Sequence, residues 1–97
     1  MTEITSTSPD MTIIAEAADT YAVKYELCKV LDIRNATGDD IYINTTGDFT
    51  SSEGVGKYSS IPAGGAYNGY RPDFAGAGTV YIYVQSAGEI SITEKRW

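Results

Sequence analysis

Apolar and polar positions alternate most strictly in TVYIYVQSAGEISI, residues 79–92, where Val80, Ile82 and Val84 take one face of a strand and Tyr81 and Tyr83 the other. A three-residue loop, Ser86-Ala87-Gly88, predicts a hairpin with Val84 opposite Ile90, Ile82 opposite Ile92, Tyr83 opposite Ser91 and Tyr81 opposite Thr93. A slip of one residue would exchange the two faces, so this register keeps the apolar set together. The same rule applied to LDIRNATGDDIYIN, around Ala36-Thr37-Gly38, sets Leu31 opposite Ile43, Ile33 opposite Ile41 and Arg34 opposite Asp40, with Gly38 in the left-handed conformation. Leu31, Ile33, Ile41, Ile43, Val80, Ile82, Val84, Ile90 and Ile92 then form one inner face.

The rest of the chain is less regular. Residues 11–25, MTIIAEAADTYAVKY, are rich in Ala and Glu, but Ile13 and Ile14 ahead of an Ala-Ala-Asp turn fit two strands better than a helix. Glycine, proline, serine and aspartate dominate between the two hairpins, and YSSIP and AYNGY are expected to pair across Ala63-Gly64-Gly65, with Asn68-Gly69 as a competing turn. Phe49 and Phe74 each follow an aspartate in a loop and are expected to fold back over the ends of the core. Six or seven short strands with closely spaced turns predict an all-β domain, a small antiparallel sandwich or barrel. Residues 1–10, polar and without a basic side chain, read as a flexible arm, and residues 11–97 as a single β domain.

Composition narrows the chemistry. The chain has no histidine, which removes the usual general base, zinc ligand and imidazole-dependent triad. A single cysteine, Cys28, forbids an internal disulfide, and its apolar surroundings predict a buried, inert thiol. A net charge of −6, with only Lys95 and Arg96 as adjacent bases, argues against nucleic acid as a partner. There is no apolar run of membrane-spanning length, and the first residues lack the positive start and apolar centre of a secretory signal, which points to synthesis in the cytoplasm and no membrane partner. The loop carboxylates Asp39, Asp40, Asp48, Glu53 and Asp73 do not follow a calcium-loop spacing, and GVGK at 54–57 lacks the phosphate-loop pattern. No enzyme activity, metal or cofactor is therefore expected.

Eight tyrosines against two phenylalanines shift attention to half-exposed surfaces, where a phenol can serve both packing and water. Tyr42, Tyr81 and Tyr83 share the outer face, with Asp32, Ser91 and Thr93 expected across from them. Three roles are open to that face: cross-strand stabilisation, a protein interface, or stacking on sugar. Trp97, next to Lys95 and Arg96, is either a plug over the sheet end or an anchor into a neighbour. Tyr42, Tyr81, Tyr83, Trp97, Phe49 and Phe74 are the candidate interface residues.

The segments VLDIRNATGDDIYIN, SIPAGGAYNGY and GTVYIYVQSAGEISITE, in that order, resemble small virion proteins of tailed bacteriophages, of the capsid-decoration or head-fibre type. The resemblance covers about residues 30–94 and implies a non-enzymatic structural protein of the virion. It would bind the major capsid protein or a neighbouring virion protein, possess no cofactor, and often act as a homo-oligomer with its N-terminal arm in contact. A small carbohydrate-binding module using the exposed tyrosine face is the alternative.

Overall fold

The computed structural model describes all residues 1–97. Eight strands follow in chain order: β1 (Thr2–Thr5), β2 (Asp10–Ala15), β3 (Asp19–Thr37), β4 (Ile41–Asn44), β5 (Ser59–Ile61), β6 (Ala66–Tyr70), β7 (Gly76–Val84) and β8 (Gly88–Arg96). One 3-10 turn, Gly54–Gly56, interrupts the loop between β4 and β5.

The 19-residue β3 is the spine, and its two halves pair with different strands. Its first half, from Asp19 to Tyr25, pairs with β7 on one side and, at Tyr21 to Lys24, with β1 on the other. Its second half, from Val30 to Thr37, pairs with β8 and, at Leu31 to Arg34, with β6. Both registers shift around Cys28, between Tyr25 and Cys28 towards β7 and between Cys28 and Val30 towards β8. Such irregularities let a strand bend more sharply than a regular ladder allows. The outcome is an all-β fold in which one continuous eight-stranded sheet curls about β3, with β1-β3-β7-β4-β5 as one half and β2-β8-β3-β6 as the other.

Seventeen buried residues fill the space inside the curled sheet, including all nine expected on the inner face. Eight of those nine are at most 1 % exposed, and the pattern of alternate burial along β7 and β8 matches the period of the strand. Both predicted hairpins, however, are absent. β4 pairs with β7 and β5 rather than with β3, and β8 pairs with β2 and β3 rather than with β7. Each short connection carries the chain from one half of the curled sheet to the other, so the two apolar faces meet across the core instead of side by side.

Other expectations change with the connectivity. Arg34 lies opposite Ser91 and Ala66, not Asp40, whose carbonyl accepts the Gln85 amide at 2.7 Å. Gly38 has no left-handed backbone; Gly88 does, with φ +148°. There a Cβ would stand 2.6 Å from Thr37 Cα and 2.7 Å from Ala36 O, so the tight β3–β8 pairing at Thr37 and Gly88 requires glycine. β5 pairs with β4 and β6 with β3, so YSSIP and AYNGY do not pair with each other.

The N-terminal residues expected as a flexible arm form β1, parallel to β3. Ile4 packs against the core, Lys24 lies 3.9 Å from Glu3, and the N-terminal ammonium lies 3.4 Å from Asp19. Polar composition alone did not reveal that the edge of β3 offers a ladder of backbone groups to this segment.

Candidate functional site

The tyrosine face is covered by the chain's own β4–β5 loop. Tyr42 and Tyr83 lie opposite each other in the β4–β7 ladder with ring centroids 5.8 Å apart. Phe49 descends from the loop to stack on Tyr83 at 5.7 Å, and Tyr58, at the far end of the loop, lies 4.4 Å from Tyr42. Gly47 sits over Tyr81 so closely that a Cβ would be 3.2 Å from the ring, and its φ of +77° also favours glycine. Asp32, Ser91 and Thr93, expected across from these tyrosines, instead belong to the β3–β8 ladder. The actual neighbours of Tyr81 are Ala22 and Asn44, and those of Tyr83 are Thr20 and Tyr42.

A buried asparagine pins this loop. Asn44 Nδ2 donates to the Asp48 carbonyl at 2.6 Å and the Lys57 carbonyl at 3.3 Å, while Oδ1 accepts from the Gly47 and Thr46 amides. Asn35 does the same at the end of β3: Nδ2 donates to the Asp39 and Ile61 carbonyls, and Oδ1 accepts from the amide and hydroxyl of Thr37. The two segments read NATGD at 35–39 and NTTGD at 44–48. Each asparagine replaces backbone partners that a turn would otherwise leave unmet. That repeat was visible in the sequence and marks structural turns, since Asn35 is wholly buried and Asn44 only 5 % exposed.

The loop also forms one wall of a cleft. Between β6 and the end of β4 with the start of β5, in opposite halves of the curled sheet, lies an open cleft of about 400 Å³. Tyr58, Tyr67 and Tyr70 line it together with Lys57, Arg71 and Asp73. A bulge in β6 aims two of these rings. Leu31 and Ile33, two residues apart on β3, face Tyr70 and Tyr67, three apart on β6, and Gly69 takes up the difference with φ +83°. The freed Gly69 amide donates to Asp32 Oδ1 at 2.8 Å. Tyr67 and Tyr70 thus meet edge to face, 5.6 Å apart and at 87°.

Within the cleft Tyr67 is the more open ring, 38 % exposed, and Tyr70 is almost covered. Burial first, then Asp73 and Tyr67, pushes the Tyr70 phenol up to about 12, so it remains a neutral hydrogen-bonding group over the physiological range. Asp73 accepts from the Thr45 hydroxyl at 3.4 Å. Neither Lys57 nor Arg71 forms an ion pair.

None of the six candidate interface residues read from the sequence lines this cleft. Tyr42, Tyr81, Tyr83 and Phe49 support its loop wall; Phe74 packs on the core against Gly78, as expected for a lid; Trp97 is 69 % exposed with the Lys29 ammonium 4.9 Å from its ring. Cys28 is buried, and burial followed by the nearby Glu94 charge raises its thiol to about 11. The acidic loop residues do not gather into a metal-binding cluster of three or more ligands.

No family model matches the chain, and no match was found among curated proteins. Among solved structures it is similar to a de novo designed double-stranded β-helix, with a TM-score of 0.58 and 14 % identity, covering 91 % of this chain and 100 % of the other. A carbohydrate-binding module found by a sugar cane soil metagenome, in complex with cellopentaose and gadolinium ion, aligns with a TM-score of 0.48 and 18 % identity over 98 % of this chain and 90 % of that one. The first likeness shows the fold.

Proposed function

We propose that the protein is a non-catalytic binding module that holds an oligosaccharide in the cleft between β6 and the β4–β5 loop. The observation that carries this reading is the composition of the cleft: tyrosine rings stand beside hydroxyl, amide and charged groups in an open space of about 400 Å³. A pyranose has the matching character, with C–H faces that lie on aromatic rings and hydroxyls around its rim. Clefts that bind small molecules combine apolar and aromatic walls with a few placed polar groups in this way. Tyr67 supplies the exposed ring, and the Tyr70 and Tyr58 phenols flank it.

Affinity electrophoresis through gels containing single soluble polysaccharides tests the reading. Retardation by at least one polysaccharide, lost in Tyr67→Ala and retained in Tyr81→Phe, which keeps the ring beneath Gly47, is expected. Free migration in every polysaccharide, with the wild-type protein folded, would overturn it.

Docking on an assembled phage capsid is a second reading, favoured by the exposed pair Leu27 and Trp97 at the bend of β3. These side chains are 53 % and 69 % exposed, and the Trp97 amide donates to the Leu27 carbonyl at 3.0 Å. Exposed large apolar groups brought together are the usual centre of a protein contact. A fixed stoichiometry of this chain to the shell protein in purified particles, lost in Trp97→Ala, is the expected outcome; absence from particles would exclude it.

A further inference from the structure

The charge of the tyrosine cleft differs from that of the other cavities and from that of the whole chain. The chain carries a net charge of −6. One cavity, between the end of β1 and β8, is lined by Glu26, Glu94 and Arg96, and another, beside the β2–β3 turn, by Glu16 and Asp19. Both are net negative. The tyrosine cleft holds Lys57 and Arg71 against the single carboxylate of Asp73, which makes it the one net-positive cavity.

Neither cation is neutralised within the protein, while Asp73 is engaged by the Thr45 hydroxyl. An acidic chain with two unpaired bases at one aromatic cleft leaves a local positive field where a ligand enters. Arginine presents a planar fork to a carboxylate, and lysine a compact charge that adapts to its position. A neutral sugar would leave both unused.

The geometry points to an acidic glycan, a chain of uronate residues, as the ligand of this cleft. This rests on the oligosaccharide reading above and names its substrate class. In this arrangement one sugar face lies on Tyr67, the uronate carboxylate meets Arg71 and Lys57, and the hydroxyls reach Asp73, Tyr58 and Tyr70. Repulsion between Asp73 and the uronate is offset by the two bases, and the negative remainder of the surface confines binding to the cleft.

Isothermal titration of the full chain with three probes of equal length tests this inference: oligogalacturonate, its methyl-esterified form and a cello-oligosaccharide. A sulfated neutral oligosaccharide serves as a fourth, to separate carboxylate from any anion. Oligogalacturonate is expected to bind at least about tenfold more tightly than its methyl ester, the loss expected for a charge-assisted hydrogen bond. Arg71→Gln and Lys57→Gln should each weaken oligogalacturonate, flatten its salt dependence, and leave any binding of the neutral probe unchanged. Tyr67→Ala should weaken every probe that binds.

Equal affinity for the acid and its ester, with Arg71→Gln silent, would overturn the uronate inference and leave the oligosaccharide reading standing. Tighter binding of the sulfated probe than of the uronate would overturn the assignment of carboxylate. Loss of all glycan binding, with the thermal midpoint normal, would overturn both.

Discussion

Asn35 in β3 and Ile61 in β5 lie on strands that share no ladder, and the Asn35 Nδ2 group donates to the Ile61 carbonyl at 2.9 Å within the core. The same side chain closes the turn after β3 through Thr37 and Asp39. Its backbone also exchanges hydrogen bonds with Gly64 and Gly65. One wholly buried amide thus fixes a turn and locks the edge strand β5 to it.

Asn35→Ala is therefore expected to be among the most damaging single changes. It leaves the Ile61 carbonyl and the Thr37 amide unmet in the interior, and each such group costs about 1–3 kcal/mol. Asn35→Asp keeps the acceptor but sets a buried carboxylate against the Asp39 and Ile61 carbonyls with no donor for either, and should be at least as destabilised as alanine at neutral pH. Urea midpoints of the three proteins check this order; an alanine variant within about 0.5 kcal/mol of wild type, the range of an ordinary surface change, would refute it.

Tyr25 offers the opposite case. Its hydroxyl is buried and has no hydrogen-bond partner, and burial, with smaller contributions from Cys28 and Glu94, pushes the phenol far above its ordinary value of 10.0. Removing an unmet hydroxyl while keeping the ring relieves a desolvation cost of about 1 kcal/mol. Tyr25→Phe should accordingly raise the thermal midpoint by a few degrees, about 4 °C for each kcal/mol in a domain of this size. A lower midpoint would show that the hydroxyl is satisfied in solution.

Alternation revealed burial faithfully and pairing hardly at all. Ile33 and Ile41, or Val84 and Ile90, point inward whether their strands lie side by side or face each other across the core, because both arrangements keep the same parity. What separates them is the conformation of a short connection, and Gly38 and Gly88 look alike in sequence while only Gly88 adopts a positive φ. The aromatic face was legible as a set of tyrosines, but its cover depends on Phe49 and Tyr58 returning from a loop without periodic pattern. The cleft was hidden for a related reason. Tyr67 and Tyr70 share a side only through the bulge at Gly69, and a period of two would place them on opposite faces. The repeated Asn-x-Thr-Gly-Asp, in contrast, was open to inspection.

Alkaline pH should destabilise the fold in a defined window. Burial raises Cys28 from 9.0 to about 11 and Tyr70 from 10.0 to about 12, so the folded state holds both protons more tightly than the unfolded chain. Their contribution is complete below pH 9 and declines as pH rises through the raised values. Thermal midpoints should be level from pH 7 to 8.5 and fall between pH 9 and 12, with a shallower fall above pH 10 in Tyr70→Phe. Parallel profiles for wild type and Tyr70→Phe would refute the role of this phenol. A disulfide reagent at pH 8 should leave Cys28 unmodified until the protein is unfolded.

The two sets of tyrosines should separate under mutation. Tyr83 contacts Tyr42 and Phe49 beneath the β4–β5 loop, so Tyr83→Ala removes the platform of that loop and should cost about 3 kcal/mol, with faster amide exchange across residues 45–58. Tyr67 touches Tyr70 at one edge and is otherwise open, so Tyr67→Ala should change stability by no more than about 1 kcal/mol and yet remove glycan binding. Tyr83→Phe keeps the rings in contact and should preserve both properties. If Tyr83→Ala proved as stable as wild type, the aromatic face would not be the seat of the loop; if Tyr67→Ala unfolded the domain, the open ring would be part of the core and the cleft could not be assigned to a ligand on its account. Denaturation and glycan titration on the same three variants decide between a tyrosine that holds the wall and one that meets the ligand.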